Sequence, residues 1–119
     1  EYFKKANDAL TVLQIEGQDG IDNIDEILQV DNIDVLFIGP YDLSQSLGVP
    51  GEIDNPIVEE KMLEIISKCS KKNVTVGTFT DTFANAMKWK KLGVKYISYS
   101  VDVGIFYEAS QNIMSKIKK

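Results

Sequence analysis

Four acidic side chains each follow an apolar segment of this sequence, and acids in such positions can carry chemistry. They are Glu16, Asp42, Asp81 and Asp102. The chain has no histidine and a single cysteine, Cys69, so it lacks the commonest general base and the commonest transition-metal ligand. A metal ion held here must therefore be bound by oxygen atoms, the donors that Mg²⁺ and Mn²⁺ prefer.

Glu16 and Asp42 form the strongest candidate pair. Each is expected at the end of a strand, and adjacent strands of a parallel sheet lie about 4.8 Å apart, so one ion could reach both carboxylates. Glu16 follows Leu13-Gln14-Ile15 and is expected at the edge of the core, where a buried charge needs a cation beside it. The pair predicts a divalent-metal site with positions left for water and substrate. The alternative interpretation is that Asp42 and Asp81 only cap helices.

Gly39-Pro40 is a second feature, just before Asp42. A glycine lets the backbone approach a ligand, and the following turn can direct the amides of Tyr41 and Asp42 toward an anion. A tight turn whose exit is set by proline explains the same residues equally well.

The elements that must position these residues follow from the hydrophobic pattern. Short apolar, β-branched runs alternate with stretches of helical period, which predicts successive β-α units on a parallel sheet. The predicted strands are residues 11–15, 35–38, 74–78 and 96–99. The predicted helices are residues 23–30, a helix opened by Asn55-Pro56 and stopped by Asn73, a helix capped by Thr80 or Asp81 with Phe83 inward and Gly93 at its end, and residues 106–117. Residues 39–54 form the longest predicted irregular stretch, with one short helical turn after Asp42.

Four parallel β-α units in a row form either an open doubly wound sheet or half of an eight-unit barrel. In both architectures, ligands bind beyond the carboxyl ends of the strands, where the four acids are expected. The pattern of elements does not distinguish the two. No linker or repeat interrupts the sequence, so we treat residues 1–119 as one piece.

Composition excludes several classes of protein. The 119 residues are 44% hydrophobic and 26% charged, which is typical of a globular domain with a core. No apolar run approaches the roughly 20 residues of a membrane-spanning helix, and no secretory signal is recognisable, so we expect a cytoplasmic location. With 18 acidic and 13 basic side chains and a net charge of −5, the chain repels nucleic acid and anionic lipid, and neither is an expected partner.

Two segments of the sequence are distinctive: Leu13-Gln14-Ile15-Glu16 and Asp34-Val35-Leu36-Phe37-Ile38-Gly39-Pro40-Tyr41-Asp42-Leu43-Ser44. Together they resemble the HpcH/HpaI family of metal-dependent 2-keto acid aldolases. Further similarity lies in residues 46–51, in Asn55-Pro56, in Val76-Gly77 and in residues 93–98 leading to Asp102. The family is built on an α/β fold, an eight-stranded (β/α) TIM barrel. The resemblance therefore implies that residues 1–119 are the C-terminal half of one barrel domain and supply its fifth to eighth strands.

The resemblance also implies roles for individual residues. Glu16 and Asp42 are the two protein ligands of a divalent cation, with Mg²⁺ or Mn²⁺ expected and Co²⁺ as a further candidate. Gln14 lines the site beside them, the backbone amides of Tyr41 and Asp42 bind the pyruvate part of the substrate, and Phe79 forms the pocket wall. The implied reaction is reversible cleavage of a 4-hydroxy-2-oxo acid into pyruvate and an aldehyde, with the cation as Lewis acid.

The sequence departs from the family in its acid–base residues. The family's histidine, associated with general-base work, and the arginine that holds the keto oxygen belong to the first half of the barrel, and this chain has no histidine. We therefore expect no catalytic residue in this chain, no activity of the chain alone, and an aldolase as the complete protein, with further β-α units before Glu1. Family members are commonly oligomeric, which predicts a homo-oligomer with contacts through Ile105, Phe106, Ile113 and Met114.

Three alternatives remain open at this point. One is a citramalyl-CoA or malyl-CoA lyase of the same superfamily, with similar barrel and metal chemistry. Another is a receiver-like signalling domain, which fits the length but requires an acidic pair after the first strand and a fifth strand. The last is a noncatalytic binding or oligomerisation module. Exposed strand edges of a half-barrel predict either missing chain or dimerisation.

Overall fold

Four β-α units follow one another in the computed structural model, which describes residues 9–118. Its strands are β1 (Val12–Ile15), β2 (Val35–Ile38), β3 (Thr75–Thr80) and β4 (Tyr96–Tyr99). Its helices are α1 (Gln18–Asp22), α2 (Ile24–Ile27), α3 (Pro40–Ser46), α4 (Pro56–Lys71), α5 (Phe83–Lys91) and α6 (Asp102–Ile117). The predicted alternation of strands and helices is confirmed.

The four strands form one parallel sheet in the order β1-β2-β3-β4. This order has no reversal, whereas a doubly wound sheet, including the receiver-like fold, needs a point at which the strand order turns back. Right-handed connections that always step in the same direction place the helices on one face of the sheet. The described sheet is therefore a segment of a (β/α) barrel, with β1 and β4 as its outer strands.

The helix-covered face of the sheet contains the hydrophobic core. The sheet contributes Ile15, Leu36, Ile38 and Val76, all buried. The helices and loops pack these further buried side chains against them: Ile21, Ile24, Leu28, Leu43, Val58, Met62, Ile65, Ile66, Cys69, Trp89 and Val94. Burying this apolar surface stabilises the fold, and it leaves the other face of the sheet uncovered by the described helices.

The uncovered face carries an aligned row of residues, Gln14, Phe37, Gly77 and Tyr96, one from each strand. The rings of Phe37 and Tyr96 meet edge to face, with their centroids 6.0 Å apart. A Cβ atom on Gly77 would lie 2.8 Å from Phe37 Cδ2 and 2.9 Å from Tyr96 Cδ1. Gly77 therefore provides the space in which the two aromatic side chains meet.

Two predicted elements differ from the structure between β1 and α4. The single helix expected at residues 23–30 is instead the pair α1 and α2, which meet at Asn23, the C-cap of the first and the N-cap of the second. The stretch 39–54, expected to be irregular apart from one short turn, contains α3. Pro40 occupies its first turn, where the fixed φ of proline suits a helix start.

The two later helices also differ from expectation in detail. Thr82, rather than Thr80 or Asp81, caps α5, because its side chain accepts a hydrogen bond from Asn85 N at 3.2 Å. Phe83 is 72% exposed and does not point into the core. The last helix begins at Asp102, before the predicted residue 106.

The start and stop predicted for α4 are confirmed. The Asn55 side chain accepts a hydrogen bond from Ile57 N at 3.1 Å, and Asn73 adopts a left-handed φ of 57° just beyond the helix. In the described part of the chain, no helix is both long enough and apolar enough to cross a membrane. The sequence starts with Glu1-Tyr2-Phe3, an amphipathic pattern typical of a helix, and these residues lie outside the described part of the chain.

Candidate metal and substrate site

Glu16 follows β1 directly and lies against the end of β2. Its carboxylate accepts a hydrogen bond from the Gln14 side-chain amide. A Cβ atom on Gly39 would lie 3.2 Å from Glu16 Oε2 and 3.0 Å from Gln14 Nε2. Because glycine has no Cβ, the polar ends of both side chains can lie against the backbone at this turn.

Asp42 lies in the first turn of α3, the helix that begins directly after Gly39. Gly39 is the N-cap of α3 and offers no side chain for capping, and its carbonyl accepts the hydrogen bond from Leu43 N at 2.9 Å. Asp42 is therefore not the N-cap, although a carboxylate in the first turn interacts favourably with the helix dipole. The structure brings Glu16 to the start of the helix that carries Asp42.

The donor set fits a hard divalent cation with an open coordination sphere. Both Glu16 and Asp42 are exposed and offer carboxylate oxygens, the ligands that Mg²⁺ and Mn²⁺ prefer. Within residues 9–118 no group of three or more His, Cys, Asp or Glu side chains is arranged to hold a metal. An ion bound by this pair would need substrate or water for its remaining positions.

The expected burial of Glu16 is wrong. The side chain is exposed, so no desolvated charge requires a neutralising cation here. The turn sets Glu16 beside Gly39, where it remains in contact with water. The case for a cation therefore depends on the carboxylate donors of Glu16 and Asp42 and on the position of Glu16 at the start of α3.

Tyr41, Phe79 and Asp81 form a second group at the ends of β2 and β3. The Tyr41 hydroxyl donates a hydrogen bond to the Asp81 carboxylate, and the Tyr41 ring centroid lies 6.1 Å from that of Phe79. The hydrogen bond to Asp81, with desolvation and the negative charges nearby, raises the pKa of Tyr41 to about 12. Deprotonation of Tyr41 would place two negative charges together, so the hydroxyl remains a donor at neutral pH.

The sequence favours a helix cap for Asp81 and does not predict its contact with Tyr41. The strand register carries a signal for it. Ile38 of β2 pairs with Thr78 of β3, and Tyr41 and Asp81 each lie the same distance along the chain beyond these paired residues. Equivalent positions after adjacent parallel strands lie near each other.

The far end of α3 is held by a separate contact. Ser46 Oγ accepts a hydrogen bond from Gln18 N, the first residue of α1, at 2.9 Å. Ser44 Oγ donates to the Tyr41 carbonyl at 2.6 Å and accepts from Gly51 N at 2.9 Å. The short helix is thereby connected to the segment that follows β1 and to the loop between α3 and α4.

Asp102, the fourth of the strand-end acids, makes a local contact. It begins α6, and its Oδ1 accepts a hydrogen bond from Val103 N at 2.8 Å. The structure thus groups Gln14 with Glu16 at the start of α3, and Tyr41 with Phe79 and Asp81 beside it.

Successive parallel β-α units with polar residues beyond the carboxyl ends of their strands define an α/β protein of the barrel type. The HpcH/HpaI aldolase/citrate lyase family matches residues 3–109, and the chain belongs to this family. The predicted family and fold class are confirmed.

Two aldolases and two proteins of known structure are similar to this chain, in agreement with this membership. The chain is 32% identical to the 5-keto-4-deoxy-D-glucarate aldolase of Shigella boydii serotype 18, over 100% of this chain and 47% of that protein. The equivalent aldolase of Escherichia coli O6:H1 has the same identity and coverage.

Two crystal structures are similar over 99% of this chain and 46% of their own length. One is an HpcH/HpaI aldolase/citrate lyase family protein from Burkholderia cenocepacia J2315, with 30% identity and a TM-score of 0.94. The other is an HpcH/HpaI aldolase from Desulfitobacterium hafniense DCB-2, with 29% identity and a TM-score of 0.85. The chain spans about half the length of the relatives it matches.

Proposed function

We propose that the protein containing this chain is a divalent-metal-dependent aldolase that cleaves 4-hydroxy-2-oxo acids into pyruvate and an aldehyde. The chain forms the C-terminal half of its barrel domain and carries the metal ligands. The observation that supports this most directly is the contact of Glu16 with Gly39 at the start of the helix bearing Asp42. The relatives named as keto-acid aldolases support the substrate class.

Glu16 and Asp42 hold the cation, Mg²⁺ or Mn²⁺ with Co²⁺ as a further candidate. When bound, the cation supplies Lewis-acid stabilisation of the negative charge that develops on the keto acid. Gln14 orients the Glu16 carboxylate through its side-chain amide. Because Gly39 has no side chain, the Glu16 carboxylate and the Gln14 amide can lie against the turn at the start of α3.

The substrate is bound beside this pair. The backbone amides of Tyr41 and Asp42 lie in the first turn of α3, where helix N–H groups have no partner within the helix, and they bind the pyruvate carboxylate. Phe79 and the ring of Tyr41, which pack together, form the apolar wall of the pocket.

Acid–base catalysis is assigned to the other half of the barrel. The chain contains no histidine, and neither carboxylate that binds the cation is free to act as general base. We expect residues outside this chain to supply the general base and the arginine that holds the keto oxygen. We also propose a cytoplasmic location and a homo-oligomer. The exposed apolar side chains of α6 support the oligomer; they are Ile105, Phe106, Ile113 and Met114.

Mn²⁺ titration by calorimetry tests the metal site in this chain. We expect one bound ion, and at least about a hundredfold loss of affinity in both Glu16→Ala and Asp42→Ala, since each removes one of two protein ligands; loss of a hydrogen bond behind a ligand alone costs 10–100-fold. Asp102→Ala is the matched control, because it removes an acid from another strand end and should leave the affinity within about twofold.

Unchanged Mn²⁺ affinity in both ligand variants would refute the metal site. A pyruvate-release assay with a 4-hydroxy-2-oxo acid and Mn²⁺ completes the test. We expect no turnover by residues 1–119 alone, and robust turnover would refute the assignment of acid–base catalysis to the other half.

A further inference from the structure

The helix α3 is short, and contacts outside it determine where its first turn lies. It has seven residues, too few for a stable helix by its own hydrogen bonds. At one end the Tyr41 hydroxyl donates to Asp81 beyond β3, and at the other Ser46 Oγ accepts from Gln18 N after β1. Between these two contacts lies Asp42.

We propose that Asp81 is a positioning residue for the metal site. By accepting the hydrogen bond from Tyr41, it sets the first turn of α3 so that the Asp42 carboxylate faces the ion that Glu16 also binds. This inference rests on the proposed function. It adds a residue beyond β3 to a site whose ligands follow β1 and β2.

The two carboxylate ligands are held in different ways. Glu16 is fixed directly, by the Gln14 amide and by contact with Gly39. Asp42 is exposed like Glu16, but it lies within α3, so its position depends on the orientation of that helix. The residue next to it, Tyr41, is the one whose side chain extends across to the neighbouring strand end.

The Tyr41–Asp81 hydrogen bond is suited to this role. A hydrogen bond to an ionised carboxylate is stronger than one between neutral groups. The Tyr41 ring also packs against Phe79, at a tilt of 57°, so the direction of the hydroxyl is restricted before the hydrogen bond forms. Breaking the bond should release the first turn of α3 and leave the ring contact in place.

Mn²⁺ calorimetry on the 119-residue chain tests the proposal with Tyr41→Phe, Asp81→Asn and the double variant. We expect each single variant to weaken Mn²⁺ binding about three- to tenfold, at or below the lower end of the effect of removing a hydrogen bond behind a metal ligand. Because both residues act through one bond, the double variant should lose no more than the larger single loss.

Charge is controlled by two comparisons. Tyr41→Phe does not change the net charge, so its effect is not electrostatic attraction of the cation. Asp102→Asn makes the same charge change as Asp81→Asn at a different strand end, and we expect it to leave Mn²⁺ affinity within about twofold. Thermal unfolding of each variant tests whether it is folded at the temperature of the titration.

Hydrogen exchange at the α3 amides gives a readout independent of the metal. We expect faster exchange at Leu43, whose amide donates to Gly39, in Tyr41→Phe and in Asp81→Asn, with unchanged exchange in α4. Unchanged exchange at Leu43 in both variants would refute the proposal. So would additive losses of Mn²⁺ affinity in the double variant.

The two proposals fail in different ways. If the unsubstituted chain bound no Mn²⁺, the proposed function and the role of Asp81 toward the metal would both be refuted. If Mn²⁺ bound with an affinity that depends on Glu16 and Asp42 but not on Tyr41 or Asp81, only the positioning role would be refuted.

Discussion

The helices α4 and α6 have the same length and opposite surroundings. Each has 16 residues, and each has apolar residues on one side of the helix. In α4 five of these are buried: Val58, Met62, Ile65, Ile66 and Cys69. In α6 none is buried, and these large apolar residues stay exposed: Val103, Ile105, Phe106, Tyr107, Ile113, Met114 and Ile117.

Their places in the sheet explain the difference. The helix α4 connects β2 to β3, the two inner strands, and packs beside α3 and α2. The helix α6 follows β4, an outer strand of the described sheet. Both sequences have an amphipathic pattern, but burial of the apolar face requires neighbouring elements that pack against it.

Truncation in the two helices should give the largest contrast in stability. Ile65 is 0% exposed in α4, whereas Ile117 is 70% exposed in α6. We expect Ile65→Ala to lower the free energy of unfolding by about 2–5 kcal/mol, through lost burial and the cavity that it leaves. The matched variant Ile117→Ala, outside the proposed oligomer contacts, should change it by less than about 0.5 kcal/mol. Urea unfolding followed by circular dichroism measures both values, and equal losses would contradict the contrast.

A thiol on α6 should react about two orders of magnitude faster than the Cys69 thiol on α4. Burial raises the pKa of the Cys69 thiol from 9.0 to about 11, and the thiolate is the reactive form. At pH 8, below both values, an ordinary thiol has about a hundredfold larger thiolate fraction than Cys69. In Ala109→Cys, the new thiol on exposed α6 should therefore react with a disulfide reagent at least about a hundredfold faster than Cys69.

Mass spectrometry of labelled peptides distinguishes the two thiols. The Cys69 rate should rise as the pH approaches 11, because the raised pKa moves thiolate formation to higher pH. Comparable rates at pH 8 would mean that α4 opens readily, and they would remove the basis for the comparison.

The helix starts should show the smallest contrast. Asn55 caps α4 by accepting from Ile57 N, whereas Val101, the N-cap of α6, provides no side-chain hydrogen bond. We expect Asn55→Ala to lower the free energy of unfolding by about 1 kcal/mol, the usual cost of losing a cap. Val101→Ala is the matched control and should have a smaller effect. Thermal unfolding of both variants measures the difference, and a larger loss for Val101→Ala would contradict it.

The sequence predicted the elements whose signals are local. The bounds of β2 and β4 were predicted at residues 35–38 and 96–99, and the structure has the same bounds. Asn55-Pro56 marked the start of α4, because an N-cap followed by proline satisfies helix-start requirements within two residues. The segment from Asp34 to Ser44, which resembles the HpcH/HpaI family, predicted the class of protein.

Predictions failed where the outcome depends on partners distant in the sequence. Asp81 was interpreted as a cap, but Thr82 caps α5 and Asp81 contacts Tyr41 from the neighbouring strand end. Glu16 was expected to be desolvated, but it lies exposed beside Gly39. Phe83 fits the helical period of an inward residue, but no element within residues 9–118 covers it.

The sequence by itself determined the alternation of strands and helices, which acids follow the strands, and the family to which the chain belongs. These properties depend on periodicity, caps and short motifs, which act between residues close together in the chain. Only the tertiary structure decided that Asp81 meets Tyr41, that Glu16 meets Gly39, and that α4 is buried while α6 is not. Each of these depends on strand register and on the order of strands in the sheet, which bring together residues from different β-α units.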